Sequence, residues 1–219
     1  FREGSAIRLT VARYYTPSGR CIQKEYQLGK AEDYSMDIVN RYMHGEFFNV
    51  DSIKQNKELV FHTFNGREVY GGGGIMPDIF VPRDTTGYTS YFNSVANEGL
   101  LYQYAFDYTD KYREKLSEAK SVEELEAMLE PNMLLNKFVQ YAAQKGIRPR
   151  PVYINISRNL IVHTLQAYIA RNILGEEAFY KLLLRDDETL RKAQEALAKG
   201  DEYLEIPVNP GEEQTPLHE

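Results

Sequence analysis

The chain has 219 residues, of which 42% are hydrophobic and 26% charged, with seventeen Tyr, ten Phe and a formal net charge of −6. That composition, without any sustained repeat, excludes a disordered, collagen-like or coiled-coil chain, and no apolar run reaches the roughly 18 to 20 residues that span a bilayer. An acidic balance disfavours nucleic acid and anionic membranes as partners, and a lone cysteine, Cys21, excludes an intramolecular disulfide.

Glycine marks the main boundary, because ten of the fifteen lie in the first 87 residues, four of them as the run Gly71 to Gly74. The chain opens at Phe1 without an initiator Met and runs at once into strand-like sequence, so the expectation is a piece of a longer protein. From Ile7 to Tyr15, Ile7, Leu9 and Val11 alternate with Arg8, Thr10 and Ala12, which predicts a half-buried strand. Thr16-Pro17-Ser18-Gly19 predicts a turn, and a second short strand is expected near Cys21. Met36 to Met43 is read as a short helix. Leu59 to Phe64, Asn65-Gly66 and Arg67 to Tyr70 predict a hairpin with a type I′ turn. Ile79-Phe80-Val81 is expected to be one more strand, ended by Pro82.

After about Ser90 the period changes. Phe92, Val95, Ala96, Leu100, Tyr104 and Phe106 recur at helical spacing, so 91–115 is one helix or two broken at Gly99. Ser121-Val122-Glu123-Glu124 is a capping box for a helix that Pro131 stops, and Asn132 opens another that ends at Gly146. Ser157 is expected to cap the next helix, with Leu160, Ile161, Thr164, Leu165, Tyr168, Ile169 and Ile173 on one face and Gly175 at its end. Two further helices follow, Glu176 to Leu184 and Glu188 to Leu197. The fold class is therefore α+β: a strand-and-hairpin region over 1–89, a mostly helical domain over 90–206 and a polar tail over 207–219.

Chemistry-bearing motifs are sparse. His44, His62, His163 and His218 lie far apart, with no HxxxH or CxxC spacing, so no metal site and no cofactor is expected. Ser18 sits in a tight turn with Lys24 nearby, the only arrangement resembling a Ser-Lys pair, although Pro-Ser-Gly is also an ordinary turn. The glycine run is followed by Ile75-Met76-Pro77-Asp78 rather than by Lys and Ser/Thr, which argues against a phosphate loop. It reads instead as a segment needing positive φ or close backbone approach, either a structural turn or a substrate-facing loop.

Two blocks carry a resemblance. Gly4 to Gln23, which includes Tyr14, Tyr15, Thr16, Pro17, Ser18, Gly19 and Arg20, closely resembles the segment of the carboxy-terminal processing (tail-specific) serine peptidases that follows their active-site lysine. Gly72-Gly73-Gly74-Ile75-Met76-Pro77-Asp78-Ile79-Phe80-Val81 is similar to the next signature of that family, a glycine, an apolar residue, Pro-Asp and a strand. Most members run from the first block to the second almost directly. Here a Tyr-rich insertion over 24–71 intervenes, and Cys21 stands where serine is more usual.

The resemblance implies the C-terminal portion of an exported serine endopeptidase. In the family a serine nucleophile is activated by a neutral lysine supported by a glutamine, all upstream of the first block, as is the PDZ-like module that captures the substrate's carboxyl terminus. No catalytic residue is therefore assigned to this chain, and Ser5 and Ser18 are not promoted to the role. The implied substrate is a polypeptide, the implied location periplasmic or cell-envelope, and the unpaired edge of the Ile7–Tyr15 strand makes a homodimer an option. The rival readings are a non-enzymatic interaction or scaffold domain, which an exposed apolar patch on Ser157–Leu174 would favour, a small hydrolase centred on Ser18, and a polysaccharide or nucleotide binder using the glycine run and tyrosines.

Overall fold

The computed structural model describes residues 4–9, 11–24, 29–53, 58–72 and 74–200. They divide into two compact units, Asp84–Gln194 on one side and Phe1–Arg83 with the chain from Glu195 onward on the other. The chain is mostly helical, with one two-stranded antiparallel hairpin in its first third, so the coarse α+β description holds.

In the first unit, helix α1 spans Ala31–Met43, longer than the expected Met36–Met43, with Glu32 and Asp33 in its first turn and Arg41 in its last, both complementing the helix dipole. Strands β1 (Val60–His62) and β2 (Glu68–Tyr70) pair antiparallel, with Phe61 opposite Val69. The expected hairpin is present, but its turn is not type I′. Gly66 alone takes positive φ, 75°, Gly66 N–H donates to Thr63 O at 2.9 Å, and Thr63 N–H donates to Arg67 O at 2.9 Å. That is a three-residue loop closed by a glycine bulge, which spares Asn65 the left-handed conformation a type I′ turn demands.

The other expected strands do not form. Residues 4–9 and 11–14 carry no ladder, and only an isolated antiparallel bridge joins Tyr15 to Cys21. Thr10 lies outside the described residues. Ile7, Leu9 and Val11 are 68%, 75% and 91% exposed. Alternation prepares a strand but does not supply the neighbour whose backbone must complete it. Ile79–Val81 is likewise irregular, bracketed by Pro77 and Pro82, neither of which has an N–H to donate.

The second unit holds every buried hydrophobic side chain among the described residues, from Tyr91 to Leu182. Its helices are α2 (Ser90–Asn97), α3 (Leu100–Leu116), α4 (Val122–Met128), α5 (Pro131–Gln144), α6 (Pro151–Ile156), α7 (Arg158–Leu174) and α8 (Glu176–Leu183), and α9 (Glu188–Lys199) begins within it. The break at Gly99 is as expected, with φ 66° between α2 and α3. Ser121 caps α4 by accepting from Glu124 N–H at 3.2 Å. Pro131 does not merely stop α4 but is the first residue of α5, whose amides Asn132 and Met133 are capped by the Glu130 carboxylate.

Helix α7 is the axis of this unit. It packs most extensively against α3 and α8 and also against α4, α5 and α6. Ile161, Leu165 and Ile169 are buried as expected, but so is the neighbouring row Val162, Gln166 and Ala170. Helices on several sides leave no single outer face, and short side chains such as Ala167 and Ala170 let them approach. Ser157 departs from expectation more sharply, because its side chain makes no cap bond. Helix α6, which periodicity did not reveal, runs directly into it. The fully buried Ser157 hydroxyl donates to Gly87 O at 2.7 Å and lies 2.7 Å from Thr89 Oγ1, the cap of α2. A buried polar group thus becomes a tie between segments 70 residues apart.

Replacing Ser157 with Ala leaves the Gly87 carbonyl with Thr89 N–H as its remaining donor, 3.0 Å away, and is expected to cost about 0.5–1.5 kcal/mol in denaturant unfolding followed by helical circular dichroism. Leu165→Ala, at a fully buried position of α7, is expected to cost about 2–5 kcal/mol in the same experiment.

Candidate functional site

The two motif blocks come together in the first unit, through the hairpin that separates them in sequence. At Thr16–Arg20, Gly19 N–H donates to Thr16 O at 2.8 Å, Thr16 N–H to Arg20 O at 2.9 Å, and Arg20 N–H to Thr16 Oγ1 at 3.1 Å. Thr63–Arg67 repeats that pattern, including Arg67 N–H to Thr63 Oγ1 at 3.1 Å. The cause is a shared Thr-x-(Ser/Asn)-Gly-Arg sequence: Thr supplies two acceptors, and glycine takes the left-handed conformation, with φ 83° at Gly19.

Phe61 of β1 reaches the first block and the residue that precedes the second. A β-carbon on Gly19 would lie 3.5 Å from Phe61 Cδ1, and one on Gly71 would lie 2.6 Å from Phe61 Cε2. Gly71 therefore has no room for a side chain while the ring stays where it is. Gly72 and Gly74 take positive φ, 109° and 99°, so the glycine run needs both close approach and left-handed backbone. Gly73 lies outside the described residues. Asp78 of the second block is ion-paired with Arg67. The Arg67 hydrogen bond holds the Asp78 carboxyl below its ordinary value, against partial burial and with help from the charges of Arg67 and Arg20. Gly19 and Gly71 thus lie against Phe61, and Asp78 is held by Arg67 within reach of the Arg20 charge. Tyr14 and Tyr15 are exposed, and Pro17 and Pro77 are exposed turn and loop positions.

The Ser18–Lys24 pair is not assembled. Ser18 Oγ lies 2.9 Å from Thr16 Oγ1 and accepts from Arg20 Nε at 3.2 Å, while Lys24 Nζ is ion-paired with Asp37 of α1. An ammonium held by a carboxylate is a poor general base, and a serine accepting from a guanidinium has no base to take its proton. Cys21 is a half-buried free thiol. His44 lies on the C-terminal end of α1 with Nδ1 2.6 Å from Asn40 O, His62 is exposed on β1, and His218 lies outside the described residues. Among the described residues no group of three His, Cys, Asp or Glu side chains is placed to hold a metal ion. None of the described helices is long and apolar enough to cross a membrane.

The helical unit carries two further polar features. His163 Nδ1 lies 3.4 Å from Asp186, at a shallow crevice lined also by Glu126, Gln166, Leu182 and Arg185. Arg185 donates to both carboxylate oxygens of Glu126 at 2.9 and 2.7 Å, and Lys181 pairs with Glu123 at 2.8 Å, so one ion pair joins α4 to α8 and another joins α4 to the turn after α8. Periodicity did not disclose the second feature, a run of tyrosines. Tyr104, Tyr108 and Tyr112 on α3 make tilted ring contacts with centroids 6.0 and 4.7 Å apart, and Tyr141 of α5 lies 5.3 Å from Tyr104. Their spacing of four residues was visible, but only the packing of α5 on α3 showed that Tyr141 joins them. Burial pushes the Tyr104 hydroxyl up strongly, and that hydroxyl has no hydrogen-bond partner. The apolar patch that would mark Ser157–Leu174 as a docking helix is absent, since Ile161, Val162, Leu165 and Ile169 are buried.

What the fold defines, then, is a bundle around a central helix joined to a hairpin unit in which two sequence blocks meet. Among known proteins, a family of unknown function (DUF8443) matches residues 91–175, a stretch inside the helical unit that touches neither block. No curated protein matches the chain, and no solved structure matches it.

The ion pairs of α4 set an acid limit. Hydrogen bonding from Lys181, reinforced by backbone and charge effects, lowers Glu123 from 4.5 to about 2. A carboxylate depressed in the folded state stabilises above its unfolded pKa and loses that contribution as pH falls through the folded one. Thermal unfolding of the helical unit is therefore expected at progressively lower temperature from pH 4.5 towards pH 2. Lys181→Met should flatten part of that slope, measured as Tm against pH.

Proposed function

We propose that this chain is part of a carboxy-terminal processing serine endopeptidase, contributing the closing segments of the protease core and a helical appendage. The nucleophilic serine and its lysine base belong, in this reading, to sequence ahead of the Gly4–Gln23 block. The supporting observation is the meeting of the two family-like blocks at Phe61 and Asp78 despite the residues inserted between them. The exposed alternation Ile7, Leu9, Val11 agrees with a strand whose ladder neighbour is supplied by that other sequence. A polypeptide substrate and a periplasmic or cell-envelope location follow from the same reading. The second reading, a non-enzymatic interaction or scaffold module, draws on the family match being confined to the helical unit.

The test is to incubate an unstructured polypeptide with an apolar C-terminus beside this chain, and beside a form extended upstream through the proposed serine and lysine, following mass over hours. Cleavage by the extended form alone is the expected result, with Ser18→Ala leaving its rate within about twofold, since a surface substitution outside the catalytic groups changes little. Cleavage by the 219-residue chain, abolished by Ser18→Ala, would overturn the reading. Silence from both forms would favour the scaffold module.

A further inference from the structure

We infer that the segment 24–71 carries a clasp that positions the Thr16–Arg20 turn against the Pro77–Asp78 block, with Phe61 and Arg67 as its positioning residues. Calling this segment an insertion within a peptidase rests on the reading above. The clasp itself rests on contacts alone.

Three observations converge. The Phe61 ring occupies the space beside both Gly19, near the end of the first block, and Gly71, the residue that leads directly into the second. The hairpin register places Phe61 opposite Val69, and Gly71 N–H donates to Leu59 O at 2.9 Å, so Gly71 is the diagonal neighbour under the ring. Arg67, at the closing bulge of the same hairpin, pairs with Asp78, whose carboxyl also feels the charge of Arg20. One end of the hairpin therefore grips the turn by packing, and the other draws Asp78 towards it by charge.

The physical need for such a device follows from the insertion. Where the two blocks are nearly contiguous, the chain itself keeps them close. Separated by 24–71, they must be brought back against loop-closure entropy, and a contact that links them offsets it. The turn closes the strand-like run from Ile7 to Tyr15, and a shift of one residue there would send Ile7, Leu9 and Val11 to the opposite face. A fixed turn consequently fixes which face of that run a neighbouring strand meets.

The ring current of an aromatic side chain displaces the resonances of protons close to it, so Phe61 gives the clasp a spectroscopic signature. In the full chain, the α-proton resonances of Gly19 and Gly71 are expected displaced from ordinary glycine positions. Phe61→Leu should return both to ordinary positions. Gly71→Ala, whose β-carbon the ring cannot accommodate, should return Gly19 alone, and should change nothing further when combined with Phe61→Leu. Arg67→Gln should move Gly19 part of the way, whereas Arg67→Lys, which keeps the charge, should restore it. Unchanged resonances of Leu165 and Ile169 verify that the helical unit stays folded in each variant. A Gly19 α-proton at its ordinary position in the unaltered chain, or one that ignores Phe61→Leu, would overturn the clasp. Absent cleavage by the extended form, with these shifts as expected, would fail the peptidase reading and leave the clasp standing; cleavage with Gly19 unshifted would do the reverse.

Discussion

Enclosing helix α7 is the constraint on which the helical unit depends. A 17-residue helix with buried side chains on two adjacent rows cannot lie on a surface, so α3 and α8 flank it and α4, α5 and α6 close the remaining sides. Close packing then dictates the polar details. Ser157, at the buried junction of α6 and α7, must place its hydroxyl on Gly87 and Thr89, because an unpaired polar group there would forfeit its hydration without return. Thr109 does the same between α3 and α7, donating to Ala105 O at 2.7 Å and accepting from Asn172 at 3.3 Å. The Tyr91 and Tyr104 hydroxyls are the exceptions, buried without partners while their rings fill the core.

The first unit lives in another regime. None of its described residues up to Arg83 is buried, so its order comes from helix α1, turns, a two-stranded hairpin and ion pairs at or near the surface. Exposed pairs contribute about 0–1 kcal/mol each, and a lone hairpin is marginal, which makes a contact such as Phe61 on two glycines disproportionately important. Exposed Ile7, Leu9 and Val11 add apolar surface that water does not favour. In the peptidase reading that surface is a strand of a larger sheet. The chemistry agrees with a supporting role, since Ser18 answers to Arg20 and Lys24 to Asp37 rather than to each other.

Helix existence was legible wherever periodicity and caps coincided. Ser121 and Gly99 mark their boundaries because each acts through local backbone geometry that the neighbouring residues carry. The hairpin over 59–70 was legible for the same reason, although its turn type depended on whether Asn65 or only Gly66 would take positive φ. Of the candidate site, both blocks were visible as sequence, whereas Phe61 and Arg67 were not singled out by any motif.

By itself, the sequence determined where the helices other than α6 and the 59–70 hairpin occur, and that Gly66 and Gly19 close turns. Those properties are set within a few residues, where propensity and hydrogen-bond geometry decide. Tertiary structure alone decided that residues 7–9 and 11–14 carry no ladder, that Ser157 is a tie and not a cap, that α7 is buried on adjoining rows, and that Gly19, Gly71 and Asp78 meet at one hairpin. Each of these depends on which distant segment arrives as a neighbour, and a strand's partner, a buried hydroxyl's acceptor and a glycine's contact are all supplied from outside the local sequence.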